Sequence, residues 1–173
     1  MTTLCPLAAI AGVRVEALLD EAFEPGRHAR TAYKVRGPAL AIPALSFAAV
    51  DGGELVGTIQ CWPVTLTLDA PPAGTDPRVP LVMVGPVAVA PARQRDGIGR
   101  RLMACALDAA GLSGDDAALT LIGDPDYYGR FFGFSAERTR GWRLPGPVER
   151  HRLLARGAAV PDGAGVLGPR ATG

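Results

Sequence analysis

Residues 79 to 90, "VPLVMVGPVAVA", form an almost unbroken apolar run with a Gly-Pro pair in its middle. A run this apolar reads as a strand buried on both faces, which places it inside a sheet covered by helices. Gly85-Pro86 interrupts the pattern, because proline removes a ladder hydrogen bond from a central strand. The plain reading of that pair is an ordinary strand end at Val84. The run is followed by "PARQRDGIGRRLM", in which Gly97 and Gly99 sit one residue apart at the start of a helical pattern. Ile98, Leu102, Cys105 and Leu107 are the residues of that pattern available to a core.

The flanking elements fit the same architecture. Residues 7 to 23 carry apolar residues at helical spacing and are closed by Pro25 and Gly26. "LSFAAV" (45–50) and "ELVGTIQC" (54–61) flank "DGG", a hairpin signal. "GRHARTAYKVRG" between them is a short helix or a loop. A Pro/Gly-rich connection spans 69–78, and the helix after the glycine turn spans 97–110 and ends at "GLSGDD". "AALTLI" (117–122) is a further buried strand. In "DPDYYGRFF", Asp124 is placed to cap a short helix with Pro125 in its first turn. "GWRL" is a candidate last strand. The expected fold is α/β, a mixed sheet with helices on both faces, in one domain over residues 1–144. Residues 145–173 are rich in Pro, Gly, Ala and Arg and are expected as an irregular segment packed on that domain.

Composition narrows the function classes. The formal net charge of +1 gives no general attraction to nucleic acid or acidic membranes. Cys5, Cys61 and Cys105 are odd in number and far apart, which suits reduced, mostly buried thiols of a cytoplasmic protein. A catalytic role for Cys105 is the alternative to burial. His28 and His151 are too isolated to expect a metal site. No apolar stretch is long enough for a transmembrane helix, and no signal peptide is expected at the N-terminus.

The basic residues do cluster locally, at Arg93, Arg95, Arg100 and Arg101, around the glycine turn. A helix N-terminus offers unpaired N–H groups and a positive dipole end, and glycines permit close approach of a phosphate. Spacing alone leaves two readings: an anion cradle, or a plain helix start with a solvated basic face. A dinucleotide turn would want a third glycine at Leu102 and a shorter loop than "PARQRD". A P-loop would want Gly-Lys-Ser/Thr.

"VAVAPARQRDGIGRRLM" resembles the acetyl-CoA-binding signature of the GCN5-related N-acetyltransferases, with Val89, Pro91, Gln94, Gly97 and Gly99 at the family's spacing. Downstream, "YYGRFFGF" resembles the family's tyrosine-bearing short helix that ends in Gly-Phe, here Gly133 and Phe134. The resemblance covers residues 4 to 144 and implies a central strand splayed from its neighbour, with Pro86 at the irregularity. It implies backbone contacts of Val87, Ala88 and Val89 to the pantetheine arm of acetyl-CoA. It implies a diphosphate held at Gln94, Arg95, Asp96, Gly97, Ile98, Gly99 and Arg100. It also implies that the Val89 N–H polarises the thioester carbonyl, and that a tyrosine protonates the departing thiolate. Tyr128 is favoured for that role and Tyr127 is the alternative, because the commoner spacing would put tyrosine at Gly129. The implied reaction is direct acetyl transfer to an amine of a small molecule or peptide, without a metal. Homodimers are common in the family. No general base is legible, which keeps open a catalytically inactive acyl-CoA-binding or sensing domain.

Overall fold

A computed structural model describes residues 1–171. Its elements are β1 (Thr2–Pro6), α1 (Gly12–Ala22), α2 (Thr31–Arg36), β2 (Phe47–Asp51), β3 (Glu54–Leu68), β4 (Arg78–Val89), α3 (Ile98–Ser113), β5 (Leu119–Ile122), α4 (Pro125–Phe132), β6 (Trp142–Arg143), β7 (Leu153–Arg156) and β8 (Gly165–Pro169). The strand order is β1-β2-β3-β4-β5-β7, with β8 also on β3 and β6 on β8. The pairings are mostly antiparallel, with parallel ones at β4–β5 and β6–β8. Two compact units share this order, and β3 and β4 contribute to both.

The first unit comprises residues 1–28, 41–61 and 85–113. The "DGG" stretch forms a two-residue hairpin turn, with Asp51 paired to Glu54. Gly52 and Gly53 have φ of 58° and 82°, the positive values that a turn matching strand twist requires. On one sheet face Ala48 and Ala88 pack with Leu7, Val15, Leu18 and Leu19 from the N-terminal segment and α1. On the other face α3 buries Ile98, Leu102, Met103, Ala106 and Ala110. Helices therefore cover both faces, as the apolar run demanded. Leu107 and Cys105 are only half-buried, since the buried stripe of α3 runs through Met103 and Ala106 instead.

The second unit comprises residues 29–40, 62–84 and the chain from Gly114 on. Here β4 pairs with β5 in parallel through two residue pairs, Val82–Leu119 and Met83–Thr120. β5 pairs with β7 on its other edge along its whole length, from Leu119 to Ile122, whereas its ladder with β4 ends at Met83 and β4 runs on through a cis Gly85–Pro86 bond to Val89. The reading in which the strand ends at Val84 is thus excluded.

Three expectations need correction. The helix expected over 7–23 is a 3₁₀ turn at Leu7–Ala9 followed by α1, because Gly12 follows an extended Ala11. It is preceded by β1, too short to announce itself by alternation. The segment 145–173, expected to be irregular, carries β7 and β8, and residue 144 lies inside the second unit. The glycines that disguised this segment serve close packing. At Gly165 a Cβ would lie 2.5 Å from the Thr67 carbonyl oxygen, across the β3–β8 pairing.

Gly157 is still tighter, with φ of +126° and a virtual Cβ 2.1 Å from the Ala117 carbonyl oxygen. That carbonyl accepts the Ala159 N–H at 2.8 Å. Gly157→Ala is therefore expected to cost at least ~2 kcal/mol of unfolding free energy. Urea denaturation measures this, and an unchanged midpoint would refute it.

Candidate functional site

The glycine turn lies in the first unit, at the end of β4. Val87 and Val89 are half-buried and Ala88 is buried, as strand alternation dictates. The methyls of Val87 and Val89 face α3: a Cβ on Gly99 would lie 3.7 Å from each, in ordinary contact. Ala88 points to the opposite face and joins the α1 core. A 3₁₀ turn, Pro91–Arg93, then leads through Gln94 to Gly97, whose φ is 76°. Gly97 is the residue that requires glycine, because a left-handed conformation strains any other side chain. The first helical bond of α3 runs from the Arg101 N–H to the Gly97 carbonyl at 3.2 Å. Ahead of it, the N–H groups of Ile98 and Gly99 have no helical acceptor, so the turn has the electrostatics of an anion cradle.

The four arginines around it divide their roles. Arg93 binds Asp96 at 2.5 Å, Asp51 at 3.0 Å and the Thr2 hydroxyl at 3.1 Å. Arg101 donates to the Thr2 carbonyl at 3.2 and 3.3 Å. These two side chains brace the turn against β1 and the hairpin rather than offering charge to a ligand. The Met1 ammonium and Arg93 together hold the Asp51 carboxyl below the usual carboxylate range. Arg95 is exposed and has no side-chain partner among the described residues. Arg100 is exposed beside it.

The tyrosines lie in the second unit. Asp124 caps α4 by accepting the Asp126 N–H at 3.0 Å, with Pro125 in the first turn as expected. Gly133 closes the helix with φ of 73°. The Phe134 N–H donates to the Tyr128 carbonyl at 3.2 Å, which fixes the Gly-Phe end. The extra residue in "FF" is accommodated within the last turn. Tyr128 packs edge-on against Tyr127, with ring centroids 4.9 Å apart, and near Phe134 at 6.4 Å. Its ring also lies over Gly123, where a Cβ would come within 2.5 Å of Cε2. Gly123 is the positioning residue that sequence reasoning missed, although a glycine directly before an Asp-Pro helix start was a usable signal. Burial pushes the Tyr128 phenol above its ordinary range, with a smaller contribution from Tyr127. No described group hydrogen-bonds the Tyr128 hydroxyl, which leaves it available to donate.

Other candidates fall away. Cys105 is half-buried, and burial followed by Asp108 pushes its thiol up, the wrong direction for a nucleophile. Cys5 is also half-buried, and of the three thiols only Cys61 is buried. Among the described residues no cluster of three or more His, Cys, Asp or Glu could hold a metal ion. Among them, too, no helix is long and apolar enough to cross a membrane.

The sequence profile of the acetyltransferase (GNAT) family matches residues 13–134. The chain belongs to the GNAT family. The structure is similar to the GNAT family N-acetyltransferase YhbS of Escherichia coli in complex with CoA. That similarity has 23% identity and a TM-score of 0.70 over 98% of this chain and 89% of that one. It is also similar to a Brucella melitensis GNAT acetyltransferase in complex with acetyl-CoA, with 24% identity and a TM-score of 0.55 over 92% and 97% of the two chains. The ribosomal-protein-S18-alanine N-acetyltransferase of Escherichia coli matches with 17% identity and a TM-score of 0.51 over 90% of each chain. No curated protein matches by sequence.

The burial of Tyr128 has a spectroscopic consequence. The ultraviolet titration of the wild type minus that of Tyr128→Phe should show one phenol ionising above pH 10.0, its ordinary midpoint. A difference curve centred at or below that pH would refute the burial effect.

Proposed function

We propose that this chain transfers the acetyl group of acetyl-CoA to a primary amine by direct attack. The observation that carries the reading is the left-handed Gly97 turn that opens α3 directly behind Val87–Val89. Acetyl-CoA supplies the acetyl group as a thioester. The backbone of Val87, Ala88 and Val89 binds the pantetheine arm in the manner of an added strand, and the Val89 N–H polarises the thioester carbonyl. The N–H groups from Gln94 through Arg100, with Arg95, Asp96, Gly97, Ile98 and Gly99 between, hold the diphosphate. Three features support this: Gly97 strips the turn of a side chain, the first helical N–H groups lack acceptors, and the Arg95 guanidinium stands unpaired beside them. Tyr128 gives its proton to the departing sulfur. Its raised ionisation keeps the phenol protonated throughout the neutral and mildly alkaline range, as an acid must be. Tyr127, whose ring packs on it, is the alternative donor.

Saturating acetyl-CoA should raise the melting temperature, because binding to the native state stabilises it by mass action. Gly97→Glu should abolish that shift through steric block, strained backbone and like charge. No shift for the wild type would sink the proposal. Tyr128→Phe should lower kcat about 100-fold with the KM for acetyl-CoA unchanged, measured as free-thiol release with a panel of amines. An unchanged kcat would transfer the role to Tyr127. Because the acid is lost only as pH rises through its raised pKa, Tyr128 should cause no alkaline fall in kcat below about pH 10.

A further inference from the structure

Two buried polar side chains on β3 have no internal partner. Thr58 is 0% and Gln60 8% exposed, and neither the Thr58 hydroxyl nor the Gln60 amide oxygen has a hydrogen-bond partner. Such groups cost stability unless something satisfies them. They stand two residues apart, so they share one sheet face. It is the face of Ala48, the register partner of Thr58, and hence of the Ala48–Ala88 core. The nearby buried hydroxyl, Ser46, is already committed: it donates to the Ile42 carbonyl at 2.8 Å and accepts the Cys61 N–H at 3.1 Å. Gln60 keeps 8% of its surface exposed, so its side chain reaches the edge of this buried face.

The position of this pair follows from the pairing of β3 with β4. The Ala90 N–H donates to the Val56 carbonyl at 2.9 Å, and a Cβ on Gly57 would lie 3.3 Å from the Ala88 carbonyl. Counting along both antiparallel strands from there puts Thr58 beside Ala88 and Gln60 beside the Gly85–Pro86 step. In the proposed reaction the thioester lies along Val87–Val89, whose side-chain face is filled by α3. A nucleophile has to arrive from elsewhere, and on the opposite face, beneath α1, stand the small Ala48 and Ala88 and the two unsatisfied polar side chains, with Gln60 at its edge.

We infer that Gln60 and Thr58 are specificity-determining residues for the acceptor, and that the acceptor carries a neutral amide beside its reactive amine. A glutamine side chain presents an acceptor and a donor in one plane, which a second amide can match at two points. The Thr58 hydroxyl adds a third polar contact. The shared chemistry is an α-amino amide, found in amino-acid amides and at peptide amino termini. A fully buried, unpartnered indole N–H at Trp142 carries no such inference, because it stands alone.

The inference rests on the acetyl-transfer reading, and the experiment separates the two. Thiol release is measured with acetyl-CoA and L-alaninamide, and with sec-butylamine, a branched alkylamine that lacks the amide, at equal concentrations of unprotonated amine, because the carboxamide acidifies the neighbouring ammonium. Wild type should prefer the amide about tenfold in kcat/KM. Gln60→Met, which keeps side-chain volume, should erase the preference while the KM for acetyl-CoA and the rate with sec-butylamine stay unchanged. Gln60→Met should also melt no lower than wild type, since it removes an unsatisfied group. An alanyl tripeptide that outperforms alaninamide would assign a peptide source, and the reverse a small molecule. Equal preference in wild type, an unchanged ratio in Gln60→Met, or no turnover of alaninamide with acetyl-CoA binding intact overturns the inference alone. Loss of the acetyl-CoA melting shift overturns the reading beneath it.

Discussion

The first unit depends on how closely α3 can approach the strands beneath it. At Gly57, a Cβ would lie 2.8 Å from Ile98 Cγ2, 3.0 Å from Leu102 Cδ1 and 3.3 Å from the Ala88 carbonyl. Any side chain at residue 57 would have to displace the Ile98 and Leu102 methyls in the first two turns of the helix. On the helix side Gly99 faces Val87 and Val89 with room for a Cβ in ordinary contact. The close approach at Gly57 thus sets the height of the α3 N-terminus above β4. That height fixes where the N–H groups of Ile98 and Gly99 point. In the proposed reading these donors must reach one small anion and tolerate little displacement, so packing in the core and geometry at the turn are one constraint.

The charges around the turn follow the same logic. The arginine cluster was read from sequence as a field for an anion, and half of it is structural. Arg93 ties Asp96 in the turn to Asp51 in the hairpin and to Thr2 in β1. These groups are partly exposed, so each pair contributes little by itself. Their value is geometric, since one guanidinium fixes three segments that are far apart in sequence. Arg95 is exposed and has no side-chain partner among the described residues, so its charge is not spent on bracing.

Much of this was legible in the sequence because it depends on local chemistry. The hairpin followed from "DGG", the α4 cap from Asp124-Pro125, and the turn from Gly97 and Gly99. What escaped depends on contacts distant in sequence. β8 was hidden by Gly165, Gly168 and Pro169, and only the close approach of Thr67 explains the first of these. β7, at four residues, is too short for a period to show. Arg93 and Arg95 differ by two positions and are alike in sequence, yet only the fold assigns one to bracing. Gly123, next to Asp124-Pro125, owes its role to the Tyr128 ring that lies across it, a contact made only in the fold.

The buried hydroxyls of the second unit give a standard for judging β3. Thr120 donates to the Leu154 carbonyl at 2.8 Å and Thr139 to the Leu153 carbonyl at 2.7 Å, both across buried backbone. The fold therefore satisfies interior hydroxyls when they serve only architecture. Thr58 and Gln60 depart from that practice at neighbouring positions on one face of one strand. Trp142 departs from it too, so an unsatisfied atom alone is no mark of function. Its indole is a large apolar group with a single donor, and burial of the ring area outweighs one missing bond. Threonine and glutamine offer no such compensation. Valine and methionine would fill their places at similar volume without the desolvation cost. Retaining polar atoms where apolar ones would pack better is what a binding surface requires and a core does not.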